Sequence, residues 1–447
     1  MATLHEIDGD PVLLVKGAPD VLLRRCADGQ GEGVEAEIDA LAAQGLRVLG
    51  VASRTLDADR FAAVRAAEAE QVEDLLVEEL HDLELLGLVG LLDPPRNEAR
   101  DAIAVCHRAG IAVKMITGDH EATASAIASA LGIRGATVSG RELDELDDDA
   151  LAAIIDETGV FARVAPTHKV RIVEALRAGG HVVAMTGDGV NDAPALKTAD
   201  IGIAMGITGT EVSKEAADMV LTDDDFSTIV GAVHAGRTIY RNIVTFVRFQ
   251  LSTNVGAIGT LLSASALGMP VPFTAIQVLW VNLIMDGPPA LALGVDPPDP
   301  RSMDEPPRPP KASILSGRRL SHIALAGAVM TVGTLGILAY EQSVGTEEHA
   351  LAMAFTTFVF FQMFNVFNAR SEGATAFSRA SLRNGKLWAA LGVVVVLQVL
   401  AVHWDPVQDV FGTADLVASD WLKVLGVAST VLWVEEARKL VSRLRER

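Results

Sequence analysis

At 447 residues, half of them hydrophobic (50%), and with a mean hydropathy of +0.32, the chain is too long for one ordinary domain and too apolar to be wholly soluble. A formal net charge of −21 argues against a nucleic-acid-binding surface, which needs a basic excess, and leaves nucleotide binding open. Two cysteines, Cys26 and Cys106, both in the polar half, argue against a disulfide framework and for a reducing, cytosolic setting.

The first ten residues, MATLHEIDGD, carry acids and no apolar core, so they read as neither a signal nor a transit peptide. Insertion into lipid is therefore expected to use internal segments. A composition shift at Asp93-Pro94-Pro95-Arg96 marks a hinge between residues 1–92 and an α/β region. In that region the β-rich runs IAVKMITGD, VFARV, HVVAMTGDG, ADIGIAMG and DMVLTDD alternate with helical patterns, which predicts a doubly wound α/β sheet. Ligands of such sheets sit beyond the carboxyl ends of the strands, where Thr117, Asp119, Lys169, Asp188 and Asp192 fall. The acidic stretch RELDELDDDA reads as a solvated loop or helix start.

Residues 186–196, TGDGVNDAPAL, are the most chemical stretch. Carboxylates at Asp188 and Asp192 suit a hard cation such as magnesium, and Gly187 and Gly189 allow a sharp turn close to a ligand. Asn191 and Asp192 open the next helix, with Pro194 in its first turn. The bland alternative is a solvated turn. Thr117 and Lys169 can aim a hydroxyl and a positive charge at a phosphoryl group; the bland alternative for Lys169 is a surface lysine opening a helix.

Six apolar stretches of spanning length come next, at about 243–267, 273–293, 321–340, 350–368, 387–403 and 421–435. Arg301, Arg308, Lys311, Arg318 and Arg319 lie in one connection, Arg370, Arg379, Arg383 and Lys386 in another, and Arg438, Lys439, Arg443, Arg445 and Arg447 in the tail. The connections between contain no Lys or Arg, so the first half, the basic loops and the C-terminus are expected to be cytoplasmic, in a multi-pass protein of the cell membrane. Within the spans, Asn254 sits in FQLSTNVGAIG, and Asn282 and Asp286 sit one helical turn apart in LWVNLIMDGPPALALG. Together with carbonyls freed by Gly287-Pro288-Pro289, these oxygens make a plausible cage for a hard cation; the bland alternative is a hydrogen-bonded pair between helices.

In this order and spacing the motifs resemble the P-type cation-transporting ATPases, most closely the calcium-pump branch, across essentially the whole chain. KGAPD (16–20) looks like the lysine motif of the nucleotide domain, LLDPPR (91–96) like the hinge, MITGD (115–119) like the second haloacid-dehalogenase motif, FARVAPTHK (161–169) like its lysine motif and TGDGVNDAPAL like its acidic motif. The resemblance implies that residues 1–92 are the C-terminal part of a nucleotide-binding domain. By the same resemblance, 93–236 are a haloacid-dehalogenase-like phosphorylation domain and 237–447 the six C-terminal spans. It implies that Lys16, Gly17, Arg47, Thr117, Gly118, Asp119, Arg163, Lys169 and Asn191 contact ATP, and that Thr117, Lys169, Asp188 and Asp192 serve catalysis. Asp188 and Asp192 would hold Mg2+, and Asn254, Asn282, Asp286 and Gln362 the transported cation, with Ca2+ expected. Ala257, Met285 and Gln362 replace a glutamate, a threonine and an acidic position of two-site calcium pumps, which is more similar to the single-site plasma-membrane type. The sequence contains neither DKTGT, which carries the phosphorylated aspartate in the family, nor TGE. The chain is thus expected to bind ATP and Mg2+ and to move a cation only with an N-terminal half (actuator domain, first spans and DKTGT segment). The alternative is a noncatalytic membrane subunit or a truncated gene fragment without ATPase activity.

Overall fold

The computed structural model describes residues 1–27, 33–67, 69–92, 96–373, 375–377 and 383–445. Asp93, Pro94 and Pro95 of the expected hinge, and Arg379 and Arg447 among the charges, lie outside them. The chain divides into two units, Met1–Ala232 with Met303–Pro310, and Val233–Ser302 with Lys311–Arg447.

In the first unit, alternating apolar residues make strands Ala2–Ile7, Asp10–Gly17, Leu46–Thr55 and Glu84–Leu92, which pair antiparallel in that order. Asp8 and Gly9 join the first two with φ of 55° and 92°, the left-handed pair that a tight hairpin of native twist requires. Leu13, Val15 and Ala52 share one face and bury against Leu22, Leu56 and Leu83. Lys16 pairs with Val51, in step with Arg47, so both cations project from the opposite face and both are exposed.

The rest of this unit contains two parallel, three-stranded sheets. One orders Met115–Ile116, Thr158–Ala162 and Ala136–Ser139; the other orders Met219–Leu221, Ile201–Met205 and Ala184–Gly187. Helices separate successive strands, as the alternating pattern predicts. The strands nevertheless form two sheets rather than the expected single one, because no strand among the described residues pairs with the outer edge of Met115–Ile116 or of Ala184–Gly187. The sheets share a core: Ile116 and Leu176 pack against the cluster of Phe161, Leu151 and Ile172 and against that of Val173, Met185 and Leu196.

The second unit is helical. Four helical segments, Ala275–Gly294, Gly317–Val344, Glu347–Arg370 and Gly385–His403, are long and apolar enough to cross a membrane among the described residues. The first and last expected spans fall in the long helices Phe226–Ala266 and Ala418–Arg445. Glu347–Arg370 is the most enclosed, its phenylalanines Phe355, Phe358 and Phe361 fully buried. The Ala275–Gly294 segment is not uniform: Val281–Met285 widens into one π-helical turn before Gly287-Pro288-Pro289, and such turns concentrate at functional sites. Four helices are tied at Asp296, whose carboxylate accepts two bonds from Arg370 (3.0 and 2.8 Å) and one from Asn384 (2.8 Å), and whose carbonyl accepts from Asn242 (3.0 Å).

Phe161 is fully buried on the central strand of its sheet. Phe161→Ala is expected to destabilise the first unit by about 3–5 kcal/mol. Amide hydrogen exchange across Thr158–Ala162 checks this. All five tryptophans lie in the second unit, so their fluorescence is expected to stay unchanged.

Candidate functional site

The strand Ala184–Gly187 ends in a loop held by one side chain. Asp192 is buried, and its Oδ2 accepts hydrogen bonds from the amides of Asp188 (3.2 Å) and Gly189 (3.1 Å), while its Oδ1 takes the Lys169 ammonium at 2.5 Å. Burial pushes the Asp192 carboxyl up, but the Lys169 bond, the two amides and the lysine charge outweigh it, and the net direction is down. Gly187 is required here, because a Cβ at that position would lie 2.5 Å from the Asp192 Cβ. With Asp192 turned inward, the Asp188 carboxylate is exposed and makes no hydrogen bond among the described residues. The neighbouring Asn191 is exposed too.

The other predicted residues converge through the segment 163–169. The Thr117 hydroxyl donates to Asp119 Oδ2 (2.9 Å) and accepts from the Asp119 amide (3.1 Å), which folds Thr117-Gly118-Asp119 into a turn. The amide of Arg163 donates to the Asp119 carbonyl (3.1 Å) and that of Val164 to Thr117 (3.3 Å). One turn into the helix Pro166–Ala178 stands Lys169, bonded to Asp192. Threonine turn, lysine and acidic loop are therefore linked by consecutive contacts. His168 fixes the helix start, accepting from the Ala165 amide at 3.1 Å and pairing with Asp144 at 2.8 Å. Arg163 stands at φ 50° and reaches Asp20, the last residue of KGAPD, at 3.5 Å. Lys16, Gly17 and Arg47 belong to the four-stranded sheet; the exposed face that carries Lys16 and Arg47 also presents Val89 and Leu91, a surface apolar in the middle with cations beside it.

A second loop braces the first. The Asp188 carbonyl accepts from the Thr210 amide (2.9 Å) and the Ser213 hydroxyl (3.0 Å). Upstream of Thr210, the Asp224 carboxylate accepts from the amides of Gly206 (2.7 Å), Ile207 (3.0 Å) and Thr208 (2.8 Å) and from the Thr208 hydroxyl (2.8 Å).

In the second unit, Asp286 is buried; its Oδ2 accepts from Gln250 at 3.3 Å and its Oδ1 has no partner among the described residues. Gln362 is buried with neither amide atom partnered there, and the buried Thr253 hydroxyl is likewise alone. Asn365 donates to Ser252 at 2.7 Å, which ties the helix of Gln362 to that of Gln250. Asn254 is half-buried. Asn282 does not share the environment of Asp286: it is exposed and lies within the π turn Val281–Met285, whereas Asp286 follows that turn and is buried.

Profiles of two families match the chain, the haloacid dehalogenase-like hydrolases over residues 19–200 and "Cation transporting ATPase, C-terminus" over residues 270–441. The chain is 41% identical over 93% of its length to the "Calcium-transporting ATPase" of Bacillus subtilis (strain 168). It is 40% identical over 98% of its length to the "Calcium-transporting ATPase type 2C member 1" of Homo sapiens, and 40% identical over 99% to the "Calcium-transporting ATPase 1" of Saccharomyces cerevisiae (strain ATCC 204508 / S288c). The chain belongs to the P-type cation-transporting ATPases. It covers 47%, 47% and 48% of those three relatives, so it spans about half the length of the P-type ATPases it matches. Family resemblance in the sequence points to the motif residues but not to Thr210, Ser213, Asp224 or His168 as their supports. TGTEVSKEA reads as a plain helix cap and TDDDF as a charged turn, and only the backbone donors they meet in space give them their place.

The amide of Ile207, ahead of the opposing effect of burial, together with the Thr208 and Gly206 donors, lowers the Asp224 carboxyl from 3.8 to about 2. A folded value below the unfolded one contributes stability that is complete above 3.8 and is lost as pH falls through about 2. Protection of the Gly206, Ile207 and Thr208 amides against exchange, corrected for intrinsic rates, is expected to collapse across that window. Asp224→Asn should flatten this dependence; an unaltered profile in the variant would assign the acid transition to another group.

Proposed function

We propose that this chain forms the C-terminal portion of an ATP-driven cation pump that carries calcium at a single ion site. The carrying observation is the combination in one chain of an open carboxylate on a lysine-locked loop with buried, unpartnered oxygens in helices able to cross a membrane. Residues 1–92 serve as the C-terminal part of the nucleotide-binding domain, 93–236 as the phosphorylation domain and 237–447 as the transport domain. The lone Lys16 and Arg47 cations flanking an apolar sheet face suit an adenine nucleotide, with its flat base and anionic tail.

The donor set fits magnesium: Asp188 is a free carboxylate on a glycine-bounded turn, with Asn191 beside it, as a hard cation prefers. Asp192 orients the loop and takes part through it. Magnesium, when bound, would offset the negative charge of the phosphoryl group. Lys169, with ammonium hydrogens beyond the one given to Asp192, donates toward phosphoryl oxygens, and the Thr117 hydroxyl does so once it turns from Asp119, in a turn shaped by Gly118 and Asp119. The attacking carboxylate comes from the remaining half of the pump. A strand from that half, laid between the open edges of Met115–Ile116 and Ala184–Gly187, would merge the two sheets into one doubly wound sheet and satisfy both rows of backbone donors and acceptors.

Six crossings result if Phe226–Ala266 and Ala418–Arg445 join the four apolar segments, and the Lys and Arg distribution puts the first unit and the C-terminus in the cytoplasm of a cell-membrane pump. In that bundle Asp286, Gln362 and Asn254 offer oxygens to calcium. Asn282, exposed, would reach the ion from a side completed by spans outside this chain. Calcium takes six to eight oxygens, more than these residues supply, which accords with ligands from the other half.

Two measurements bear on this. A polypeptide of these 447 residues incubated with labelled ATP is expected to give no acid-stable phosphoenzyme, whereas the pump completed with its N-terminal half gives one; a labelled band from the former would overturn the assignment of the nucleophile. In vesicles holding the completed pump, Asp286→Asn is expected to lower labelled calcium uptake by at least about tenfold, as for a ligand carboxylate lost from a desolvated site. Equal uptake would remove Asp286 from the ion path.

A further inference from the structure

Asp224 does more than close a turn. Its two carboxylate oxygens collect four donors, the amides of Gly206, Ile207 and Thr208 and the Thr208 hydroxyl. The segment they gather has little freedom: a Cβ at Gly206 would stand 2.4 Å from the Leu221 carbonyl oxygen, and one at Gly209 would stand 1.9 Å from that of Met205. Only glycine fits at both ends, so each end of the segment lies against neighbouring backbone more closely than any side chain allows. The segment leads directly to Thr210 and Ser213, the two residues whose amide and hydroxyl hold the Asp188 carbonyl at 2.9 and 3.0 Å. Ser213 is fully buried and Thr210 caps the helix Glu211–Ala216, so neither donor can drift independently of the segment. Asp224 itself stands at φ 50°, a left-handed backbone that Asp tolerates better than most residues, and its carbonyl accepts from Arg96 at 3.3 Å.

We propose that Asp224 is a positioning residue for the magnesium-holding loop, fixing through Gly206–Thr208 the donors that grip the Asp188 backbone and so aim the Asp188 carboxylate. The proposal rests on Asp188 being the magnesium ligand. Asp188 has its main-chain oxygen held from one side by Thr210 and Ser213 and its amide held from the other by Asp192. A carboxylate with no side-chain partner of its own depends on such main-chain grips for its direction, as metal ligands depend on the groups behind them.

The test uses the full chain in detergent and Mn2+ as the spectroscopic stand-in for magnesium, with binding followed by electron paramagnetic resonance. The relevant site is the one lost in Asp188→Asn. Asp224→Ala is expected to weaken that site by about tenfold, the scale of losing an outer support of a metal ligand. Asp224→Asn, which keeps one acceptor oxygen, should fall between, and Thr208→Val and Ser213→Ala should each weaken it less. Combined with Ser213→Ala, the Asp224→Ala loss should be smaller than the product of the two single losses, because both act through one chain of contacts. Exchange protection of Thr158–Ala162 reports whether each variant keeps its core. If Asp224→Ala does not fold, Thr208→Val and Asp224→Asn carry the test. Unchanged Mn2+ affinity in the folded variants, or losses that simply multiply, overturns the positioning role while Asp188→Asn still abolishes binding. Should Mn2+ binding prove independent of Asp188, the magnesium assignment itself falls, and the role of Asp224 with it.

Discussion

The candidate site of the first unit depends on one carboxylate that is fully engaged. Asp192 gives one oxygen to Lys169 and the other to two amides of its own loop. A buried acid without such partners would cost several kcal/mol or become protonated; with them it becomes the closure of a turn that glycine alone can make. The same bonds pull the lysine of one helix and the loop of one strand into register. The neighbouring acid is thereby left outward and unengaged. Two aspartates of one motif thus receive opposite tasks from their surroundings rather than from their chemistry.

The helical unit works by the reverse logic. Many of its buried polar groups are paired across helices: Asn365 with Ser252, Gln398 with Thr356, Gln277 with the Phe411 carbonyl. Unpaired buried groups are costly in an apolar surrounding and need a reason. The Asp286 oxygen, the Gln362 amide and the Thr253 hydroxyl, without partners among the described residues, stand on three helices, two of them joined by Asn365 and Ser252 and the third held by the Gln250–Asp286 bond. Satisfied contacts between helices thus stand beside unsatisfied ones within the same unit.

Much of this is legible in the sequence. Periodicity alone separates the strand-and-helix half from the apolar half, and the motif spacing puts Thr117, Lys169 and Asp188 at strand ends, with Thr117 and Asp188 directly after strands and Lys169 in the helix after one. Other features cannot be read there because they are properties of space. The π turn after Trp280 has no composition of its own, so the sequence implies regular helical spacing for Asn282 and Asp286 and gives no sign that one is buried and the other exposed. The two sheets look like one because strand pattern reports that a strand exists and not which neighbour it has. Asp224 and His168 sit among ordinary charged and polar residues; their partners are backbone groups and side chains far along the chain, or donors that any sequence supplies.

The knot at Asp296 bears on how the bundle is made. Its partners come from a helix that precedes it, Phe226–Ala266, from Glu347–Arg370 far downstream, and from Asn384 at the start of Gly385–His403. During synthesis Asp296 emerges with only Asn242 available, and its carboxylate stays uncompensated until Arg370 and then Asn384 are in place. The contacts gathered at this one residue are therefore complete only after the last of its partners has been made. One acid thus ties the finish of the bundle to a residue 88 positions further along the chain.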